Sequence, residues 1–172
     1  SMAVDWVNIS VKPMAARAAS LCRGYSGVRY ELLERLVELL RQGLVPRIPE
    51  EGSVGASGDM TTLSYIAAVL MGEREVWQQG QVRNAAEALS AHGLSPLDLR
   101  PKETLAIMNG TSVMTAIASR AWVRADYLLR LSSRITALVS EAMMGNKAHF
   151  HPEIFAQNPH EGQARVGAWI AG

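Results

Sequence analysis

The longest helical pattern in the sequence, from Val113 to Met144, places the strongest limit on the fold. It is rich in Ala, Leu, Met and Arg, and it carries apolar residues around much of its circumference. Such a helix belongs in the middle of a bundle or at an interface between subunits, because only there are several of its faces covered. Since 172 residues suffice for a domain with its own core, we predict an all-α fold with a long-helix bundle core. We also predict a homo-oligomer formed through this helix.

Shorter patterns supply the remaining elements. Apolar residues recur at helical spacing from Pro13 to Gly43, interrupted by glycines at 24 and 27, which predicts two helices or one broken helix capped by Gly43. Residues 72–84 alternate around a turn-like centre and predict one short β-hairpin. Three segments rich in Pro, Gly and polar residues are predicted to be loops: 45–53, 93–103 and 145–163. Further helices are predicted from Ala56–Asp59 to about Leu70, from Ala85 to Ala91, from Pro101, and from near His160.

Charge and cysteine usage limit the partners and the compartment. The formal net charge is +1, which gives no reason to expect nucleic acid or an anionic membrane as a partner. No run of about 18 apolar residues is present, so no transmembrane helix is expected. Cys22 is the single cysteine and cannot form an internal disulfide, which favours a reducing, cytoplasmic location. Because it lies in an apolar stretch, we expect a buried, inert thiol.

The stretch EGSVGASGDMTTLSY, residues 51–65, joins the most glycine-rich part of the chain to a helix start. One interpretation is a tight turn, since glycine adopts backbone angles that other residues avoid. Phosphate binding at the helix N-terminus is a second interpretation. A phosphate loop needs Lys followed by Ser or Thr after its last glycine, whereas Asp59 and Met60 stand there. The acid would repel phosphate, which argues against that interpretation.

A third interpretation is covalent chemistry within Ala56-Ser57-Gly58. In a compressed loop the Gly58 nitrogen could attack the Ala56 carbonyl and close a five-membered ring, with the carbonyl oxygen leaving as one water. Loss of the Ser57 hydroxyl as a second water would leave an exocyclic methylene on that ring. Glycine leaves the attacking nitrogen unhindered, alanine leaves the carbonyl open, and serine supplies the leaving hydroxyl. A helix dipole beneath the ring would favour negative charge developing on it.

The longer string GSVGASGDMTTLSYIA, residues 52–67, resembles the signature of the histidine and aromatic amino acid ammonia-lyases and aminomutases. Three more motifs follow this family's order at about its spacing: RGYSGVR at 23–29, NGTSVMTA at 109–116 and NPHEGQ at 158–163. The resemblance extends from about Leu21 to Ile170. It implies the ammonia-lyase fold and the electrophilic cofactor of that family, methylidene-imidazolone (MIO).

The resemblance also implies roles for individual residues. Ala56, Ser57 and Gly58 match the tripeptide that forms MIO, Asp59 matches an acid that assists cyclisation, and Asn109 matches the asparagine near the ring and the substrate's polar groups. Two positions depart from the family pattern, because Thr62 and Glu161 stand where proline is usual. The change at 62 falls in the helix that supports the ring, and so bears on ring geometry.

Family members are much longer than this chain, and their N-terminal tyrosine loop and C-terminal substrate-binding part are not found in it. We therefore expect a single partial domain over 1–172, with an MIO-loop segment at about 44–110 and a central-helix segment at about 111–172. The resemblance implies a truncated core fragment of an enzyme that eliminates ammonia from phenylalanine, tyrosine or histidine to give an arylacrylate. Cyclisation needs a loop that its surroundings force into a strained shape, and a truncated chain lacks part of those surroundings. We therefore expect MIO to remain unformed in this chain and the chain to be inactive alone.

Alternative functions remain open at this stage. The parent could be a phenylalanine or tyrosine 2,3-aminomutase, or the chain could be a non-catalytic helical module that self-associates. His149 and His151, with Glu153 nearby, suggest a metal site, but they lack a strong third ligand and are interpreted as loop histidines.

Overall fold

The computed structural model describes residues 2–49 and 51–172, and it is mostly helical. Its helices are α1 (Met2–Leu21), α2 (Tyr30–Arg41), α3 (Asp59–Leu70), α4 (Ala85–Ala91), α5 (Glu103–Met108), α6 (Ser112–Ala142), α7 (Pro152–Ala156) and α8 (Glu161–Ala171). A 3₁₀ turn covers Lys147–Phe150, and three short strands are β1 (Val45–Pro46), β2 (Glu75–Gln78) and β3 (Gln81–Asn84). The helical fold, the hairpin and the long helix α6 are confirmed. The described chain divides into two compact units at 118/119, within α6.

The first unit, up to Ala118, holds a continuous apolar core. The core contains leucines of α2, the inner face of α3 and the end of α1, with Leu36 and Ile66 fully buried. Gly43 has φ +65°, and the Leu44 N–H donates to the Leu39 carbonyl at 2.9 Å. This geometry ends α2 as predicted, because glycine adopts the left-handed conformation without a steric penalty.

The strands form one antiparallel sheet in the order β1-β2-β3. The β2–β3 hairpin is confirmed, but the prediction that 45–53 is entirely loop was wrong, since Val45 pairs with Trp77 and Pro46 with Val76. A proline is tolerated at this edge of the sheet because its missing N–H breaks no internal ladder bond. The strand has only two residues, which is too short for an alternating pattern to reveal it.

The second unit, residues 119–172, buries little. In it α7 packs on α8, and the Phe155 ring occupies the space that a Cβ on Gly167 would need. The prediction of a loop over 145–163 was wrong in part. Asn146 and His151 accept hydrogen bonds from the N–H groups of Ala148 and Glu153 and so begin two short helical turns.

Smaller differences concern helix ends and the cysteine. The first helix begins at Met2 and contains Pro13, although the pattern placed its start at the proline. Pro101 lies two residues before α5 rather than in its first turn. Cys22 is exposed, so the expectation of a buried thiol was wrong. It directly follows Leu21, the last residue of α1, where the chain turns away from the core.

Candidate functional site

The glycine-rich loop leads directly into α3. Ala56 and Ser57 are exposed, Gly58 precedes the helix, and Asp59 is its first residue. The Met60 N–H donates to the Ser57 carbonyl at 3.1 Å, which tightens the last turn of the loop. The tripeptide therefore lies at the N-terminal end of α3, where the helix dipole favours negative charge.

One cavity of about 560 Å³ brings together all five residues predicted for the site: Ala56, Ser57, Gly58, Asp59 and Asn109. Its wall is completed by apolar side chains from the ends of α5 and α6, namely Met108, Val113, Met114 and Ile117. The first four site residues adjoin one another in sequence, whereas Asn109 comes from the distant α5–α6 connection. The structure shows where these residues lie, and their chemical roles stay predictions.

Asp59 connects the loop to the start of α6. Its Oδ2 accepts hydrogen bonds from the N–H groups of Val113 at 2.8 Å and Met114 at 3.0 Å. These N–H groups belong to the first turn of a helix, which has no internal partners for them. The carboxylate thus begins α3 and caps α6, an interaction that the charge of the residue favours. Sequence reasoning assigned Asp59 to ring formation and missed this cap.

Asn109 ends α5 and is exposed to the cavity. Its backbone carbonyl accepts a hydrogen bond from Arg17 Nη2 at 2.8 Å, and the same nitrogen donates to the Ala106 carbonyl. Arg17 is 7% exposed, and burial lowers the pKa of its guanidinium. Sequence reasoning missed this residue, because nothing in its local context distinguishes it from other helical arginines.

The other end of α5 is fixed by an ion pair. Glu103, its first residue, is 3% exposed and accepts hydrogen bonds from Arg29 Nε at 2.9 Å and Nη2 at 2.8 Å. The backbone N–H groups of Arg29 and Arg100 also donate to this carboxylate. The bonds from the Arg29 side chain are the main reason that the pKa of Glu103 is lowered to about 2.

The histidines considered as metal ligands have other surroundings. His151 Nδ1 accepts a hydrogen bond from the Glu153 N–H, which makes this histidine the cap of α7. Within residues 2–49 and 51–172, no three His, Cys, Asp or Glu side chains are grouped in a way that could hold a metal ion.

Among the helices of the described residues, none has the length and apolar character needed to cross a membrane.

Comparison with known proteins decides the family. The family model described as "Aromatic amino acid lyase" matches residues 8–172. The chain belongs to the aromatic amino acid lyase family. The resemblance found in the four sequence motifs is therefore confirmed, and it extends over nearly the whole chain.

Three similar proteins illustrate the range of the aromatic amino acid lyase family. A histidine ammonia-lyase of Koribacter versatilis (strain Ellin345) is 41% identical over 160 residues, covering 93% of this chain and 31% of that protein. A histidine ammonia-lyase of Bartonella tribocorum is 46% identical over 153 residues, covering 89% of this chain and 30% of that protein. The structure of Pantoea agglomerans phenylalanine aminomutase has a TM-score of 0.86 at 35% identity, covering 94% of this chain and 31% of that one.

The chain thus spans about a third of the length of the relatives that it matches. The structural match over 94% of the chain confirms the predicted ammonia-lyase fold. The relatives include both lyases and an aminomutase, so family membership alone leaves both reactions open.

Two further residues of the cavity bear on how this family member is built. Ser53 lies so close to Gly58 that a Cβ there would stand 2.5 Å from the serine Oγ. Thr62 is buried, and its hydroxyl donates to the Asp59 carbonyl at 2.8 Å. The threonine thus supports the first turn of α3 with a hydrogen bond that the proline expected there could not make.

Proposed function

We propose that this chain supplies the electrophile-bearing wall of an active site that removes ammonia from, or moves it within, an aromatic amino acid. In this proposal Ala56-Ser57-Gly58 is the precursor of MIO. The observation that carries the proposal is the single cavity where the tripeptide meets Asp59 and Asn109. Asn109 lies 50 positions after Asp59, so the fold rather than sequence proximity brings them together.

The residues present fit the cofactor. A Cβ on Gly58 would stand 2.5 Å from Ser53 Oγ, so glycine leaves the nucleophilic nitrogen open without requiring the serine side chain to shift. The N-terminus of α3 lies next to the tripeptide and favours negative charge there. When formed, MIO supplies an electrophilic methylidene carbon that acts as an electron sink.

The remaining lining residues suit an amino acid with a flat aromatic ring. Met108, Val113, Met114 and Ile117 provide apolar surface, and the Asn109 amide provides one donor group and one acceptor group for the amine and carboxylate. Phenylalanine, tyrosine and histidine all satisfy this description. We propose the elimination of ammonia as the reaction, with the 2,3-aminomutase reaction as the alternative, because relatives of both kinds share the fold.

The openness of the cavity supports a further part of the proposal. Ala56, Ser57 and Asn109 are exposed, whereas electrophile chemistry requires the exclusion of water. We infer that a loop this exposed is not compressed toward cyclisation by its surroundings. We therefore propose that the isolated chain of 172 residues neither forms MIO nor turns over substrate.

A chimeric enzyme tests the proposal. The homologous segment of the Koribacter versatilis histidine ammonia-lyase is replaced by this chain, and the intact mass and ammonia release are measured beside the isolated chain. We expect the chimera to lose two waters and the isolated chain to keep its full mass. Ser57→Ala is the matched control, since it has no hydroxyl to lose. A chimera that assembles but keeps its full mass would overturn the assignment of the tripeptide.

A second candidate is a non-catalytic module that self-associates through α6. The exposed apolar side chains of that helix favour it, with Trp122 67% and Leu138 70% exposed. Self-association would also fit the first candidate, so the decisive result is the mass of the chimera. Sedimentation of the isolated chain, alone and with Leu138→Glu, tests whether this helix holds a homo-oligomer together.

A further inference from the structure

The short connection between α5 and α6 is held at both ends by buried or partly buried charges from elsewhere in the first unit. Arg17, on α1, binds the Ala106 and Asn109 carbonyls at the end of α5. Asp59 binds the Val113 and Met114 N–H groups at the start of α6. The last carbonyls of a helix have no N–H donor within the helix, and a cation nearby is favourable. The first N–H groups have no acceptor within the helix, and an anion nearby is favourable. Each charge therefore stands at the end that suits it.

Gly110 shows how closely Arg17 approaches this connection. A Cβ at position 110 would overlap Arg17 Nη1 and crowd the guanidinium carbon, which lies 3.1 Å from that position. The guanidinium thus fills the volume that any other residue at 110 would need. Because Arg17 bonds the carbonyls of Ala106 and of Asn109 itself and lies close to Gly110, it fixes the backbone from which the Asn109 side chain extends.

Burying the Arg17 guanidinium at this position costs folding free energy. It is 7% exposed, and its Nε has no hydrogen-bond partner among the described residues. A buried polar atom without a partner costs free energy, and an apolar side chain of similar size would avoid that cost. The cost points to a role that an apolar residue could not fill, namely the two hydrogen bonds to the end of α5.

We propose that Arg17 is a positioning residue of the candidate site, which sets the orientation of Asn109 by holding the α5 carbonyls on either side of the final turn. The inference rests on the proposed function, since Asn109 is assigned to the site there. It goes beyond that function because it identifies a residue outside the cavity on which the placement of Asn109 depends.

Nuclear magnetic resonance on the isolated chain tests the inference without any catalytic turnover. The side-chain amide of Asn109 is assigned by its absence in Asn109→Asp. In Arg17→Met this amide should shift, and the Asn109 backbone amide, which donates to the Leu105 carbonyl at 2.9 Å, should exchange about tenfold faster as the end of α5 loosens. Arg17→Lys should restore part of the wild-type shift, because an ammonium can still donate to the carbonyls.

Two further variants separate positioning from general stability. Arg35→Met is the control, since Arg35 donates to the Ser95 carbonyl rather than to the connection between α5 and α6, and it should leave the Asn109 signals unchanged. Gly110→Ala should displace the guanidinium and reproduce the Arg17→Met shift, even if Arg17→Met itself does not fold. Asn109 signals at their wild-type positions in folded Arg17→Met or Gly110→Ala would overturn the inference, as would a Lys variant indistinguishable from Met.

The two proposals fail in different ways. A chimera that never loses water refutes the assignment of the tripeptide, and the Asn109 signals of the Arg17 variants still decide whether Arg17 positions that residue. Unchanged Asn109 signals beside a chimera that does lose water refute only the role of Arg17.

Discussion

The two units of the chain differ in how much they bury. The first unit encloses a core in which Leu36, Leu63 and Ile66 are fully inaccessible to solvent. In the second unit, residues 119–172, only Ser133 and Gly167 are buried, while Trp122 and Leu138 are largely exposed. The first unit therefore has the apolar burial that drives folding, and the second gains little from its own apolar residues.

This difference matches the division of the site. Every residue of the candidate cavity lies in the first unit, where α3, α5 and the start of α6 are fixed by core packing and by charged caps. The second unit contributes helices with apolar surface. The candidate site and the exposed apolar surface of residues 119–172 therefore belong to different parts of the chain, so they can be changed separately.

The largest effect should come from deleting a core side chain. Leu36→Ala removes a fully buried side chain and should cost about 2–5 kcal/mol of unfolding free energy. Leu138→Ala, at an exposed position of the second unit, should change it by less than about 0.5 kcal/mol. Urea unfolding at a concentration where sedimentation shows a monomer measures both. If Leu138→Ala lowers the unfolding free energy as much as Leu36→Ala does, the Leu138 side chain must be covered. That result would contradict the difference in burial between the two units.

Breaking the buried ion pair should have the next largest effect. Glu103→Gln weakens the hydrogen bonds from Arg29 that anchor α5. Because the pKa of Glu103 is lowered to about 2 in the folded chain, its contribution is fully present above the unfolded-state value and is lost as the pH falls toward about 2. The difference in unfolding free energy between wild type and variant should therefore be large at neutral pH and should decrease as the pH is lowered.

The control for this experiment lies in the second unit. Asp126→Asn removes the exposed pair with Arg130, which should matter little at neutral pH. A gap for Glu103→Gln that stays constant from neutral pH to about pH 2 would show that the charge of Glu103 is not what anchors α5.

A smaller loss of unfolding free energy is expected from removing the cap at the start of α6, which lies within the first unit. Asp59→Ala removes the cap on Val113 and Met114 and should cost about 0.5–2 kcal/mol, while Asp59→Asn should retain most of the stability because asparagine is also a good cap. Hydrogen exchange at these two amides reports the local change. Equal exchange in the two variants would mean that the carboxylate does not cap α6.

The smallest effect should come from the charged surface of the second unit. Arg130 pairs with Asp126 at 2.9 Å and lies over the Trp169 ring at 4.7 Å. Arg130 is exposed while Asp126 and Trp169 are half-buried, so Arg130→Ala should cost about 1 kcal/mol or less. The midpoint of thermal unfolding measures it, with Arg130→Lys as the control that keeps the charge. A loss as large as that of Leu36→Ala would show that this unit depends on polar contacts for its fold.

Much of the fold could be predicted from the sequence because its signals are local. The apolar spacing and the glycine at 43 predicted α2 and its end, and the loop before Asp59 predicted the start of α3. The missed elements have weak local signals, such as the two residues of β1. Cys22 was misplaced because apolar neighbours in sequence do not reveal that α1 has just ended.

The candidate site also contains residues that the sequence could predict and residues that it could not. Its five predicted residues came from motif resemblance, and the structure gathers them around one cavity. Arg17 could not be found by this route, because its partners Ala106 and Asn109 are separated from it by 89 and 92 positions. The cap made by Asp59 on α6 was missed for the same reason, since a contact across 54 positions leaves no periodic trace in the sequence.

The shared space of Arg17 and Gly110 also couples the ways in which related sequences can diverge at these two positions. A side chain that enters at position 110 while Arg17 is present displaces its guanidinium from the Ala106 and Asn109 carbonyls. A smaller residue at 17 gives up the same hydrogen bonds but leaves room at 110. Either change alone loses these bonds, so substitutions at 17 and 110 are expected to occur together.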